Sequence, residues 1–147
     1  VNVDYPLVMA SRAAGHRTRK LAMRMLDEIW LFAGQEVVLL ELAERGELNQ
    51  ATLAVALDIE PPSVAGILAK LESAGLVTRT ASGREKLVTL TEAGREAAAQ
   101  AREVYAVMES QLAAGLTPRE IDRTVTALRR VSDSAETALR AVNGRDS

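Results

Sequence analysis

The only histidine, His16, stands four residues after Arg12 and next to Arg17. On a helix, residues four apart share a face. An arginine beside a histidine can hold a carboxylate together with a phenol, and Trp30 or Phe32 could supply the apolar wall of such a pocket. The same residues equally suit an exposed basic face or an ion pair to an acidic helix of another subunit. A second group of residues suits phosphate. Asn49, Gln50 and Ser63 fall at expected helix starts, where side-chain and backbone donors can take a phosphate oxygen, although capping alone would account for Asn49 and Ser63. Arg79 and Lys86 lie low on an expected hairpin and are natural phosphate contacts, with a solvated charged hairpin as the plain alternative.

Other chemistries lack residues. The chain has no cysteine, which removes disulfides, thiolate nucleophiles and cysteine-based oxidation sensing. One histidine argues against a dedicated zinc site. There is no Gly-rich phosphate loop, no Ser-His-Asp arrangement and no metal-spaced acid cluster, so neither an enzyme nor a cofactor is expected. The net charge of −2 speaks against a general nucleic-acid coat, but the charges are uneven. Asp27, Glu28, Glu36, Glu41, Glu44, Glu47, Asp58 and Glu60 face a lone Arg45 between residues 25 and 60. Basic zones flank that block: Arg12, Arg17, Arg19, Lys20 and Arg24 on one side, Lys70, Arg79, Arg84 and Lys86 on the other. Apolar runs such as Val37 to Leu40 are too short to span a bilayer, and no basic segment followed by an apolar run opens the chain. A cytoplasmic protein without a membrane partner is expected.

The elements that would position these groups can be read from periodicity. At 147 residues the chain is about one domain long. Few aromatics and many Ala, Leu, Val, Glu and Arg favour helices. A first helix is expected from near Asp4 and Pro6 to about Leu31, and a second, buried one from Gln35 to Glu44 with Gly46 as its left-handed end. Two short helices follow, Asn49 to Leu57 and Pro61 to Ala74, separated by Asp58-Ile59-Glu60. Asp58 tolerates the left-handed conformation that this turn needs. From Leu76 the period changes to that of a β-hairpin, Val77 to Thr80 and Lys86 to Leu90, around Ala81-Ser82-Gly83-Arg84. Thr91 caps a long helix to about Ala114, where Tyr105 and Met108 read as plain packing. Thr117-Pro118-Arg119-Glu120 is a capping box that opens a last helix. Ile121, Val125, Leu128, Ser132, Ala135, Leu139 and Val142 recur along it in steps of four and three, a seam that calls for a partner helix. Helix, tight turn, helix and hairpin is the outline of a winged helix-turn-helix.

Four segments carry a family resemblance: Leu31-Phe32-Ala33-Gly34-Gln35, Leu48-Asn49-Gln50-Ala51-Thr52-Leu53-Ala54, Leu71-Glu72-Ser73-Ala74-Gly75-Leu76-Val77 and Leu90-Thr91-Glu92-Ala93-Gly94. In this order and spacing, with both long flanking helices, the chain resembles the multiple-antibiotic-resistance regulator (MarR) family along nearly its whole length. The resemblance implies a mainly α fold with a small β-hairpin wing. Residues 1–30 would be an N-terminal linking helix, 31–92 the winged lobe and 93–147 the C-terminal dimerisation helices. It also implies a homodimer that binds a pseudo-palindromic operator in double-stranded DNA and represses until a small, often aromatic and anionic, effector releases it.

The positions matching the family's base-reading surface are Pro62, Ser63, Ala65, Gly66 and Lys70. Ala65-Gly66 departs from the pattern, because a polar residue followed by arginine is common there and the usual guanine reader is missing. Weaker or shape-based recognition, specificity moved to the wing, and lost DNA binding all remain open, and Gly66 either brings backbone close to the groove or accommodates a packing neighbour. Arg84, six residues before Leu90, matches the family's minor-groove arginine. Its usual orienting aspartate is replaced by Ser82, and the wing is short. A dimeric ligand-binding or protein-interaction module that has lost specific DNA recognition is the alternative from another functional class.

Overall fold

The computed structural model describes residues 4–144. The expectations for residues 1–3 and 145–147 lie outside the described residues. In chain order the elements are α1 (Pro6–Asp27), α2 (Gln35–Arg45), β1 (Leu48–Asn49), α3 (Gln50–Leu57), α4 (Pro61–Ser73), β2 (Val77–Ser82), β3 (Glu85–Leu90), α5 (Glu92–Ala113) and α6 (Pro118–Asn143). The three strands form one antiparallel sheet in the order β1-β3-β2. The mainly α winged-helix architecture is thus the one expected. The strand β1 was not: two residues give no periodicity to read, and Leu48 and Asn49 become a strand only by pairing with Val88 and Leu87.

Leu26 of α1, Val38 and Leu39 of α2, Leu53 of α3, Val64, Leu68 and Leu71 of α4, and Val77 and Val88 of the sheet are fully buried together. Each such side chain contributes about 1.5–3 kcal/mol relative to exposure. Local signals set the boundaries around this core. Asn49 Oδ1 accepts the Thr52 N–H at 2.7 Å and caps α3. Asp58 ends α3 in the left-handed region at φ 51°, and Pro61 and Pro62 open α4, where their missing N–H groups cost nothing.

The end of α4 explains one of the four sequence segments. Gly75 is left-handed at φ 74°. Its N–H bonds to the Glu72 carbonyl, and the Leu76 N–H reaches back to the Leu71 carbonyl at 2.9 Å. This is the pattern in which glycine is favoured. The end of α1 repeats it with a different residue. The Trp30 N–H bonds to the Asp27 carbonyl and the Leu31 N–H to the Leu26 carbonyl, but the left-handed position is held by Trp30 at φ 61°. The expected helix to Leu31 therefore stops at Asp27: burial of Leu26 and Leu31 forces the reversal although a bulky residue occupies the strained position.

The chain forms two compact units, one ending at Met108 and one beginning at Glu109. In the first, Gly94, Ala98, Ala101 and Met108 are the buried residues of α5. Gly94 is placed against the turn after α4, where a Cβ would lie 1.9 Å from the Leu76 carbonyl oxygen. In the second, the α6 start is the capping box read from sequence: Glu120 N–H donates to Thr117 Oγ1 at 3.3 Å and Thr117 N–H to Glu120 Oε2 at 2.8 Å. No residue of α6 is buried, and Leu128, Leu139 and Val142 of its seam are exposed.

Two glycine-related substitutions should move stability in opposite directions in urea unfolding. Gly94→Ala is expected to lose about 3 kcal/mol, because backbone must move to admit the methyl group. Trp30→Gly is expected to gain about 1 kcal/mol by relieving the left-handed strain. A Gly94→Ala protein as stable as the parent would contradict the close approach.

Candidate nucleic-acid interface

The residues singled out for phosphate and base contact are all half-buried or exposed. Asn49 and Gln50 stand at the start of α3, and Pro62, Ser63, Gly66 and Lys70 lie on the exposed side of α4, opposite buried Val64, Leu68 and Leu71. Arg84 and Lys86 lie on the exposed wing. A hollow of about 480 Å³ joins the wing to α3 and the first residue of α4; Asn49, Gln50, Val55, Pro61, Arg84 and Lys86 are among its lining. Gln50 Oε1 is buried there without a hydrogen-bond partner. Val55 is 83% exposed, a large apolar side chain of the same lining.

The wing is tighter than its expected four-residue turn. Pairing continues to Ser82 opposite Glu85, which leaves only Gly83 and Arg84 to reverse the chain. Gly83 takes the positive φ of 63° that such a two-residue turn requires at its first position. Arg84 is thereby fixed at the tip by its backbone.

Arg79 is engaged differently from Lys86. Its guanidinium donates to Glu72 Oε1 at 3.0 Å and its backbone N–H to Glu72 Oε2 at 3.1 Å, which ties β2 to the last turn of α4. The Arg79 hydrogen bond holds the Glu72 carboxyl below its ordinary range, with the charge of Lys86 adding to the effect. Arg79 thus clamps the wing, and a phosphate would have to compete with Glu72 for it.

The proposed effector residues are not gathered by one chain. Arg12, His16 and Arg17 are exposed on α1. At about 1.5 Å of rise per residue, about 16 Å of helix separates His16 from the end of α1 at Asp27. Trp30 and Phe32, 90% and 69% exposed, lie beyond that end. A hollow of about 340 Å³ that sequence reasoning missed lies between α2, β3 and α5, with Arg95 and Arg102 beside Leu42, Leu90 and Ala98.

A buried polar pair was also missed. Tyr105, read as plain packing, donates its hydroxyl to Glu36 Oε1 at 3.1 Å. Glu36 is 5% exposed, and its other oxygen accepts the Gly34 N–H at 2.7 Å. The available signal was that a tyrosine facing a core needs a partner for its hydroxyl, and Glu36 is an acid in the first turn of α2, the helix expected to be buried. Among the described residues no group of three or more His, Cys, Asp or Glu side chains could hold a metal. No single helix among them is long and apolar enough to cross a membrane.

Residues 33–86, from the turn before α2 to the wing, match the MarR family model. The winged lobe is similar to the MarR family. Solved structures with the same fold extend the likeness over most of the chain. The MepR–DNA complex from S. aureus is 23% identical, with a TM-score of 0.81, over 87% of this chain and 97% of that one. A probable transcriptional regulator from Pseudomonas aeruginosa is 25% identical, with a TM-score of 0.80, over 88% and 99%. BpsR from Bordetella bronchiseptica, described with the regulation of its DNA binding by 6-hydroxynicotinic acid, is 25% identical, with a TM-score of 0.80, over 86% and 98%. No curated protein matches in sequence. The last two of the four sequence segments meet at one junction: Thr91 Oγ1 donates to the Gly75 carbonyl at 2.7 Å and accepts the Gly94 N–H at 3.0 Å.

Burial, with the Glu36 charge and hydrogen bond adding to it, pushes the Tyr105 hydroxyl up from 10.0 to about 12. The folded chain keeps this proton over a range where the unfolded chain gives it up. The corresponding stability is complete below pH 10.0 and is lost as pH rises towards about 12. Ultraviolet titration should show one tyrosinate band appearing near pH 12, absent from Tyr105→Phe, which also leaves Glu36 Oε1 unpaired at a cost of about 1–3 kcal/mol. Ionisation of Tyr105 at its ordinary value would contradict the pairing.

Proposed function

We propose that the chain is a homodimeric, sequence-specific DNA-binding transcription regulator, not an enzyme, that represses until a small aromatic or anionic effector releases it from a pseudo-palindromic operator. One observation carries the reading: the wing and the start of α3 gather Asn49, Gln50, Arg84 and Lys86 around one hollow, and Ser63 and Lys70 stand exposed on α4, while the apolar sides of the same elements close the core. The MepR structure, a DNA complex, supports duplex DNA as the partner, and such work belongs in the cytoplasm. The BpsR description supports an effector. Arg95 and Arg102 beside an apolar floor suit a small carboxylate within one chain. The group Arg12, His16 and Arg17 would need Trp30 and Phe32 from elsewhere, such as a second subunit.

Dimerisation is supported by the α6 seam, whose Val125, Leu128, Leu139 and Val142 side chains are 39–62% exposed at the four-and-three spacing of helix pairing. Two lobes related by a twofold axis reach successive major grooves when they are about one duplex turn apart, roughly 34–36 Å. An effector that alters this separation weakens both half-sites together.

Salt dependence tests the reading. Fluorescence anisotropy on a selected duplex should show affinity falling steeply with salt, and Arg84→Ala and Lys86→Ala should each flatten the logarithmic slope by about 0.9 per lost phosphate contact. Ser63 substitutions should change sequence preference as well, and Lys70→Ala should flatten the slope further. Binding indifferent to salt and to all four changes would favour an interaction module that uses the same fold.

A further inference from the structure

We propose that α4 reads thymine methyl groups, so that the operator half-site is centred on A·T pairs rather than on guanine. This rests on the DNA-binding reading above and states what the recognition helix recognises.

The exposed stripe of α4 is formed by Pro62, Ser63, Gly66, Ala69, Lys70 and Ser73. In a helix-turn-helix the N-terminal part of this helix meets the base edges. Guanine is read there by an arginine or lysine fork, adenine by a carboxamide and cytosine by a carboxylate. The first two turns of the stripe hold none of these. Glu60 precedes the helix, and Glu72, near its end, is paired with Arg79. Lys70 comes eight residues after Pro62, about 12 Å further along the axis at 1.5 Å per residue, where the backbone phosphates are the nearer target.

What the stripe does present is small apolar surface. Pro62 and Ala69 carry methylene and methyl groups, and Gly66 leaves the helix backbone bare between them. A Cβ at Gly66 would meet nothing within 4 Å, so no neighbour in the chain requires glycine there. A glycine inside a helix lowers stability relative to alanine, and here the fold gains nothing in return. Its value lies on the outer side, where its absent side chain lets the helix approach the groove. The base-edge group that rewards close apolar contact is the thymine C5 methyl.

The test uses the full chain to select duplexes from a random pool, followed by replacement of each thymine in the recovered half-site with uracil, which removes only the methyl group. The expected result is a half-site whose centre is T-rich, with affinity falling about fourfold for each contacted methyl lost, the value of burying one methylene-sized group, and unchanged by uracil in the flanks. Gly66→Arg, which the open space around Gly66 allows, should shift the selected base beneath it to guanine with a preference of about tenfold or more. A shared half-site with a G·C centre, or one insensitive to uracil, overturns methyl reading while leaving operator binding intact. Recovery of no shared sequence overturns both.

Discussion

The first turn of α5 comes so close to the end of α4 that only glycine fits at position 94, where any Cβ would lie 1.9 Å from the Leu76 carbonyl oxygen. The same carbonyl accepts the Thr91 N–H at 3.1 Å, and the Thr91 hydroxyl holds the Gly75 carbonyl on one side and the Gly94 N–H on the other. Val77 and Leu90, the two feet of the wing, are paired beside this junction. Helix α4, both strands of the wing and α5 are therefore joined at one point, and Arg79 on Glu72 adds a second tie between wing and α4. A surface held this way needs little ordering when a partner binds, which leaves more of the contact energy as affinity.

The two ends of the lobe differ in how much strain they carry. After α4 the reversal falls on Gly75, which adopts it freely, whereas after α1 the same hydrogen-bond pattern falls on Trp30. Burial of Leu26 and Leu31 outweighs a cost of about 1–2 kcal/mol for a left-handed non-glycine residue, and leaves the indole in solvent. The α2 start beside it is held by side chains from within the lobe: Gln35 accepts the Phe32 N–H, and Glu36 bridges Gly34 and Tyr105. A buried carboxylate with two donors is a rigid support for the turn that presents Trp30 and Phe32.

Much of this was legible in the chain because the decisive signals are local. Asn49, Asp58, Pro61, Gly75 and the Thr117–Glu120 box each act within a few residues of themselves, and the helix boundaries they imply lie within a residue or two of those observed. The exceptions involve long-range contacts. The strand β1 exists only through β3, the early end of α1 follows from core burial, and the Glu36–Tyr105 bond spans 69 residues of sequence. The exposure of Ser63, Gly66, Lys70, Arg84 and Lys86 was equally legible, since exposed positions follow from helix period and hairpin alternation. That Arg79 is engaged by Glu72 was not, because nothing in the spacing says which of several carboxylates a strand arginine will meet. Tyr105 and the Arg95–Arg102 hollow were passed over for the same reason: periodicity identifies a packed face and is silent on which polar groups share it.

Hydroxyl-radical footprinting of the full chain on a selected operator tests most directly whether α3, α4 and the wing form a DNA interface presented twice by a dimer. The account predicts two equivalent protected patches on one side of the duplex, about one helical turn apart. A single protected patch, or uniform weak protection along the fragment, would contradict it.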